Sequence, residues 1–331
     1  MNYTSHYSVL NKESIDYLFK DIKEDENNLL FSDFTFGAGG HTFSILNRSE
    51  NAKVVSFDQD PEALENGRSR IENESVSERC FLVDSNFENF KKVIDEQFSD
   101  LVKDCGGFDG IVMDLGVSSH HFDSGERGFS FRVDAPLDMR MDVDNSEIQT
   151  AQHIVNNYSE EELNLLIRDY GEEKFHRRIV KNIIDKRSVA PIETTWQLAD
   201  LIRLAYPAKL RHGKIHPATK TFQALRIEVN RELEVLEKVL DQIVPFLKNN
   251  GKIAVISFHS LEDRIVKQAF KKLETREDFL FEVLTKRPVI PSKDEVSENS
   301  RSRSAKLRVV QRVEQKKNKN KYAQFSKVNK N

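Results

Sequence analysis

The first part of the chain alternates short apolar runs with patterns of helical periodicity. Four apolar runs predict β-strands at residues 29–36, 52–58, 80–83 and 108–115. Helical patterns lie between them at 41–48 and 61–71, and the second begins with a proline that suits a first helical position. Strands and helices in alternation predict a parallel sheet covered by helices.

The pattern changes between about residues 134 and 226, where it predicts helices without strands. A capping box, Ser-x-x-Glu, begins one of them at Ser159. Thr195 is placed to cap a helix over 196–206, and one long helix is predicted from about 217 to 239. This stretch therefore predicts an all-helical insertion.

Strand patterns return near the C-terminus, at 251–259, 279–284 and 306–313. A helix is predicted at 262–273, and residues 288–304 are predicted to form an exposed loop. The predicted fold is one open α/β sheet, interrupted by the insertion and then resumed. The predicted parts are a core segment over 1–133, a helical insertion over 134–226, a second core segment over 227–313, and a disordered Lys/Asn-rich tail over 314–331.

Charge is unevenly distributed along the chain. The formal net charge is −4, yet residues 315–331 carry six lysines and no acidic residue, so the rest carries −10. Nucleic acid would then have to bind at local basic patches. Two cysteines outside any Cys-x-x-Cys pattern indicate a reduced, cytoplasmic protein, and the lack of an eighteen-residue apolar run predicts no membrane span.

Three glycines follow the first predicted strand in "DFTFGAGGH", which runs from Asp33 to His41. A glycine turn beyond a strand end lets the backbone approach a ligand. A P-loop is excluded because no Gly-Lys follows, and a dinucleotide fingerprint is weakened because Thr42 replaces the last glycine. Asp-x-x-x-Gly-x-Gly suits S-adenosylmethionine (AdoMet), whose ammonium group Asp33 would help to hold. An ordinary strand-to-helix turn is the alternative.

Two more carboxylates end predicted strands. Asp58 can accept hydrogen bonds from both ribose hydroxyls of a nucleoside, a feature that NAD enzymes share. Asp114 can hold an exocyclic amine beside a methyl donor, or it can cap the following helix. Because two strand ends offer suitable groups to one crevice, the pattern favours a functional Asp114.

Six blocks of sequence carry a family resemblance: TFGAGGH, DLGVSS, ERGFSF, PLDMRMD, HPATKTFQALRI and SFHSLEDRIVK. Together they resemble the bacterial 16S ribosomal RNA (cytosine-N4)-methyltransferases, over nearly the whole chain from His6 to about Val310. The resemblance implies a Rossmann-like class I AdoMet-dependent methyltransferase sheet with an inserted helical, RNA-recognising domain. It also implies the reaction, which is methylation of the exocyclic amine of a cytidine in the decoding region of 16S rRNA.

The resemblance also implies the cofactor contacts, which fall on Gly39, Gly40, His41, Asp58, Phe87, Asp114 and His121. Asp114 is the catalytic candidate, as an acceptor for the amine. Phe87 either contacts adenine or only packs in the core. Relatives commonly have glutamine at His121, and histidine can also donate or accept a hydrogen bond. No metal is expected, because His120 and His121 lack a third ligand at a useful spacing.

Direct transfer to an amine needs no covalent nucleophile. It needs the nitrogen in line with the methyl group at about 3 Å, acceptors for its hydrogens, and exclusion of water. The base is expected to stack on Phe129, Phe131 or Phe258, and the sequence does not choose among them. The remaining substrate candidates near the strand ends are Ser118, His259 and Ser260, of which the last two could instead cap the next helix.

Two other classes of function stay open at this point. An NAD-dependent oxidoreductase would share the sheet, the glycine turn and Asp58, although no base for hydride transfer is evident. A non-catalytic RNA-binding or ribosome-assembly factor could keep the same fold. The partner expected from the resemblance is 16S rRNA or the small ribosomal subunit, and the oligomeric state is open, with a homodimer as one option.

Phosphate contacts are predicted in the basic loop that precedes the helix start at Pro217. Replacing Lys209, Arg211 and Lys214 by neutral residues should weaken RNA binding and flatten its salt dependence. Each lost contact should lower the slope of log K against log salt by roughly 0.7 to 0.9. Filter-binding titrations at several salt concentrations measure the slope, and an unchanged slope would refute the assignment.

Overall fold

Seven strands form a single sheet in the computed structural model, which describes residues 8–23, 26–116, 125–213 and 215–315. Their order is β3-β2-β1-β4-β5-β7-β6; β1 to β5 are parallel, and β7 lies antiparallel between β5 and β6. The strands are β1 Leu29–Asp33, β2 Ala52–Asp58, β3 Cys80–Asp84, β4 Phe108–Asp114, β5 Leu247–Ser257, β6 Leu280–Val283 and β7 Lys306–Val313.

Helices cover the sheet and fill the segment between β4 and β5. The helices before β4 are α1 Asn11–Leu18, α2 Gly40–Arg48, α3 Pro61–Asn73, α4 Phe90–Val93 and α5 Ser99–Cys105. Those between β4 and β5 are α6 Ala151–Asn157, α7 Glu160–Asp169, α8 His176–Arg187, α9 Thr195–Ala205, α10 Thr219–Asn230 and α11 Glu232–Gln242. The last two are α12 Ser260–Leu273 and α13 Lys293–Glu298. None of the described helices is both long enough and apolar enough to cross a membrane.

Both faces of the sheet are buried, as expected for parallel strands covered by helices. Successive residues of β4 show this, because Ile111 belongs to one apolar cluster and Val112 to another. The first cluster contains residues of α11 and α12, and the second contains residues of α1 and α2. The predicted fold class, an α/β sheet interrupted by helices and then resumed, is confirmed.

The segment between β4 and β5 has a hydrophobic cluster of its own. It extends from Phe129 to Val229 and includes buried residues of α6, α7, α8, α9 and α10. The predicted capping box is present, since the Ser159 hydroxyl accepts from the Glu162 amide and the Glu162 carboxylate accepts from the Ser159 amide. These helices therefore pack around one another and not only against the sheet.

Three sequence predictions were wrong in detail. The long helix over 217–239 is two helices, because Arg231 adopts a left-handed conformation, with φ of 51°, between α10 and α11. The cap of α9 is Thr194 and not Thr195, whose hydroxyl instead donates to the Val133 carbonyl. Residues 288–304 contain α13, and Glu295 there is buried and accepts the Leu10 amide at 2.8 Å.

A buried ion pair joins α3 to the loop after β4. Arg127 donates to both carboxylate oxygens of Asp60 at 3.1 Å, and the two side chains are only 12% and 4% exposed. The same guanidinium donates to the carbonyls of Arg140 and Met141. Asp60 also caps α3, so this pair fixes the loop relative to the sheet.

Arg127→Met should destabilise the protein by about 3 to 5 kcal/mol, because Asp60 would be left buried without its cation. Urea unfolding followed by circular dichroism measures the difference. Arg203→Met is the control, since Arg203 pairs with Asp200 on the surface, where ion pairs contribute little. Equal stabilities of the two variants would contradict the structural role of Arg127.

Candidate active site

A cavity of about 560 Å³ opens beyond the carboxyl ends of β1, β2 and β4. Residues that follow these strands line the cavity together with residues of α10, of the loop after β4 and of the segment 299–304. Parallel α/β sheets characteristically bind ligands at this edge. The wall residues that could contact a ligand include Thr35, Gly37, His41, Asp58, Phe87, Asp114, Phe129, Phe131, Gln223, Arg226, Phe258 and Arg301.

Asp58 holds the glycine turn in place. Its Oδ2 accepts the Gly37 amide at 2.7 Å, and its Oδ1 accepts the amides of Gln59 and Asp60 at 2.8 and 2.9 Å. Gly37 has φ of 52° and lies on the cavity wall. The carboxylate therefore fixes two turns of the cavity while facing into it itself.

The next two glycines allow close packing behind the wall. Gly39 has φ of 79°, and a Cβ there would lie 2.6 Å from the Phe43 ring. A Cβ on Gly40 would lie 1.8 Å from the Ser8 hydroxyl. Of the turn residues, Gly37 and Ala38 line the cavity, so cofactor contact by Gly39 and Gly40 stays a prediction.

Asp33 does not line the cavity, contrary to the expectation that it faces a ligand. It is fully buried and accepts hydrogen bonds from the Thr42 hydroxyl at 2.8 Å and the Thr35 amide at 3.1 Å. The Thr35 hydroxyl in turn accepts the Asp114 amide at 2.7 Å. Asp33 thus supports the backbone that positions Asp114.

Asp114 and His41 face each other at the end of β4, with Oδ2 and Nδ1 3.9 Å apart. Burial raises the pKa of Asp114 well above its usual value, and the nearby carboxylate of Asp33 raises it further. Burial lowers the pKa of His41 to about 4, so His41 is neutral near pH 7 and the two do not form an ion pair.

Each of these side chains has a buried atom that no described residue satisfies. Asp114 Oδ1 and His41 Nε2 make no hydrogen bond within the described part of the chain, although both residues lie on the cavity wall. Buried polar atoms are rarely left unpaired in native proteins. A ligand with a donor near Asp114 would satisfy the carboxylate oxygen.

Aromatic rings provide flat surfaces on several sides of the cavity. Phe87 lies on the wall and stacks on Phe34, with ring centroids 5.7 Å apart, so it packs in the core and also faces the cavity. All three candidates for base stacking, Phe129, Phe131 and Phe258, line the cavity. Phe131 already stacks on His216, with centroids 4.4 Å apart.

One face of α10 forms part of the cavity wall. Thr219, Phe222, Gln223 and Arg226 line the cavity at positions i, i+3, i+4 and i+7. Sequence reasoning missed these four residues as candidates, although their motif, HPATKTFQALRI, carried part of the resemblance. Asn299, Arg301 and Ser304 were missed too, because their segment was predicted to be an exposed loop.

Comparison with known proteins identifies the family. The model of the MraW methylase family matches residues 3–313. The chain belongs to this family. Proteins named ribosomal RNA small subunit methyltransferase H are similar along their whole length. The one from Clostridium botulinum strain 657 is 45% identical, and the one from Sulfurihydrogenibium azorense is 46% identical; each alignment covers 93% of this chain and 99% of the relative.

Solved structures add little to the family assignment. An rRNA methylase from Streptococcus thermophilus has a TM-score of 0.42 and 10% identity, over 91% of this chain and 95% of that one. That likeness is too weak to support a conclusion about the site. The predicted family resemblance is confirmed by the sequence relatives.

Other predicted substrate residues of this MraW-family chain lie away from the cavity wall. His259 caps α12 through Nδ1, as its alternative role predicted, whereas the Ser260 hydroxyl donates to Glu172 Oε2 at 2.5 Å instead. Arg211 donates to the carbonyls of Tyr206 and Leu204 at the end of α9, and Lys209 is exposed. Ser118, His121 and Lys214 lie outside the described residues.

Glu232, His259 and Glu262 form a cluster whose potential ligand atoms lie within 4.8 Å of one another. Arg226 donates to both oxygens of Glu232, at 2.7 and 2.8 Å, and its charge also interacts with Glu262. The guanidinium thus supplies the positive charge that these carboxylates need. We interpret the cluster as an ion-pair network.

Asp114→Asn should stabilise the ligand-free protein at neutral pH, because it removes a carboxylate that burial and Asp33 disfavour. A raised native pKa means that the native state binds more protons than the unfolded state, so the native state loses stability as pH rises towards that pKa. The gain should be about 1 kcal/mol or more at pH 7, and should shrink as the pH falls towards the ordinary value of 3.8.

Urea unfolding of both proteins across this pH range measures the gain. Asp241→Asn, an exposed carboxylate paired with Lys272, should leave the stability nearly unchanged. A loss of stability in Asp114→Asn at pH 7 would contradict the electrostatic interpretation.

Proposed function

We propose that this protein transfers a methyl group from AdoMet to the exocyclic N4 amine of a cytidine in the decoding region of 16S rRNA. The observation that carries the proposal is a buried carboxylate oxygen of Asp114, at a strand end of the cavity of this methylase-family chain, that accepts no hydrogen bond from any described residue. The relatives named ribosomal RNA small subunit methyltransferase H support an rRNA substrate. The motifs that resemble cytosine-N4 methyltransferases support the position of the methyl group.

The residues on the cavity wall fit AdoMet. Asp58 offers carboxylate lone pairs for ribose hydroxyls, and Phe87 offers a ring for adenine. His41 Nε2, a buried atom with no hydrogen-bond partner among the described residues, would meet the polar methionine end, and the family resemblance adds Asp114 as a cofactor contact. We keep Gly39, Gly40 and His121 as further cofactor contacts on the strength of the family resemblance.

Asp114 does the chemical work that the chain itself contributes. When bound, AdoMet supplies an electrophilic methyl group on a sulfonium. Asp114 accepts a hydrogen bond from N4, which orients the nitrogen lone pair and stabilises the positive charge that grows on it. Methylation would leave N4 with one proton more than the product amine holds, and Asp114 would take that proton and later pass it to water. Its raised pKa favours that last uptake.

Access to the cavity requires the base to leave its stack. The helices between β4 and β5 provide the wall that would receive it, so we assign RNA recognition to this segment together with Lys209, Arg211 and Lys214. Ser118, His259 and Ser260 stay lesser candidates for substrate contact. The substrate is free 16S rRNA or the small ribosomal subunit.

Two rival functions make different predictions. An NAD-dependent oxidoreductase would be stabilised against heat by NAD and not by AdoMet, whereas we expect the reverse. A non-catalytic ribosome-assembly factor would bind RNA without methylating it. Family membership favours a methylase over both.

Nucleoside mass spectrometry of rRNA should detect N4-methylcytidine in cells with the protein and not in cells lacking it. In purified form, Asp114→Asn should reduce methyl transfer at least about 100-fold while RNA binding is kept, because the acceptor for the amine is lost. Asp241→Asn, the matched surface variant, should be fully active. Wild-type rates in Asp114→Asn, or a methyl group on a ring carbon, would refute the proposal.

A further inference from the structure

Arg226 is the charged residue of the α10 wall, and its side chain is only 12% exposed. The aromatic ring of Phe222, one turn earlier on α10, lines the same cavity. A guanidinium that is mostly buried has lost most of its hydration, so its N–H groups need acceptors. Because Arg226 lines the same cavity as the residues at the strand ends, it is a candidate for substrate recognition.

One end of the guanidinium is fixed by Glu232. Nε donates to Oε1 at 2.7 Å and Nη2 donates to Oε2 at 2.8 Å, which is a bidentate pair with a defined orientation. Glu232 reaches back to α10 because the left-handed Arg231 breaks the helix just before it. The turn therefore presents Arg226 in a fixed orientation.

The other end of the guanidinium, Nη1, is the end with no assigned acceptor. It makes no hydrogen bond to any residue in the described ranges, whereas Nε and Nη2 are both used. The cavity that Arg226 lines is also lined by Asp114, whose Oδ1 accepts no hydrogen bond from any described residue. Among the described residues, the cavity lining thus includes an arginine with an unused donor and an aspartate with an unused acceptor.

Cytosine presents the complementary pair of groups on adjacent ring positions. Its N4 amine is a donor and its N3 is an acceptor, whereas uracil has an acceptor at O4 and a donor at N3. We propose that Arg226 Nη1 donates to N3 of the target base while Asp114 accepts from N4. This assignment rests on the proposed function and makes Arg226 a specificity-determining residue that selects cytosine over uracil.

A phosphate group is the other anionic or acceptor group that arginine commonly binds. The carboxylates of Glu232 and Glu262 around Arg226 disfavour the binding of a phosphate there, because they already neutralise the charge of the guanidinium. A neutral ring nitrogen accepts a hydrogen bond without adding a further negative charge. The local charge therefore favours a base over a phosphate.

The test compares cytidine monophosphate with its 3-deaza analogue, in which a C–H group replaces N3, on protein loaded with S-adenosylhomocysteine. Wild type should bind cytidine monophosphate about 10 to 100 times more tightly than the analogue, the range expected for a hydrogen bond to a charged donor. Arg226→Met should bind the two equally, and Arg226→Lys should keep part of the preference. Arg203→Met, which removes a surface arginine of α9 in the same segment between β4 and β5, should behave as wild type.

Unfolding of a variant would weaken the binding of both nucleotides together, so the ratio of the two affinities separates base recognition from a loss of stability. An equal ratio in wild type and Arg226→Met, or no binding of cytidine monophosphate by wild type at millimolar concentration, would overturn the inference. If Arg226→Met loses S-adenosylhomocysteine instead, Arg226 serves the cofactor and the inference is wrong. Failure of the wild type to methylate rRNA would instead refute the proposed function.

Discussion

The hydrogen bond from the Asp114 amide to the Thr35 hydroxyl, 2.7 Å long, positions the carboxylate around which the cavity is built. It connects the ends of β1 and β4, and Asp33 in turn fixes Thr35 by accepting a hydrogen bond from the Thr35 amide. Asp58 does the same for the turn after β1 by accepting the Gly37 amide. Carboxylates thus fix the backbone after β1 and β2, and the Thr35 hydroxyl fixes the end of β4.

This arrangement concentrates unfavourable electrostatics in one place. Asp33 is fully buried and Asp114 is mostly buried, and burial raises the pKa of each. A protein selected for stability alone would not bury two carboxylates at the ends of neighbouring strands. The cost is consistent with a site that is completed only when a positively charged ligand binds.

The cavity also depends on two separately packed bodies of side chains. The sheet, α11 and α12 pack in the first and second apolar clusters, while α6 to α10 pack around a third. The Asp60–Arg127 pair and the α10–α11 break join the two near the cavity. The functional wall is thus made of residues that are more than 100 positions apart in sequence.

Local periodicity was sufficient to predict much of the sheet. β2 at Ala52–Asp58 and β7 at Lys306–Val313 have the predicted bounds, because β-branched and other apolar residues are concentrated in both. The strand-end residues Asp58 and Asp114 could be predicted as site residues for the same reason, since parallel strands bring their carboxyl ends to one edge.

Only the tertiary structure decided which side chains face the cavity. Asp33 and Asp114 both end parallel strands of the sheet, yet the first is fully buried and the second lines the cavity. Arg226 lies on an ordinary amphipathic helix, and its fixed orientation follows from the helix break at Arg231 and from the ion pair with Glu232, six residues later. Such contacts depend on the path of the chain in space, whereas periodicity reports only whether a residue is buried.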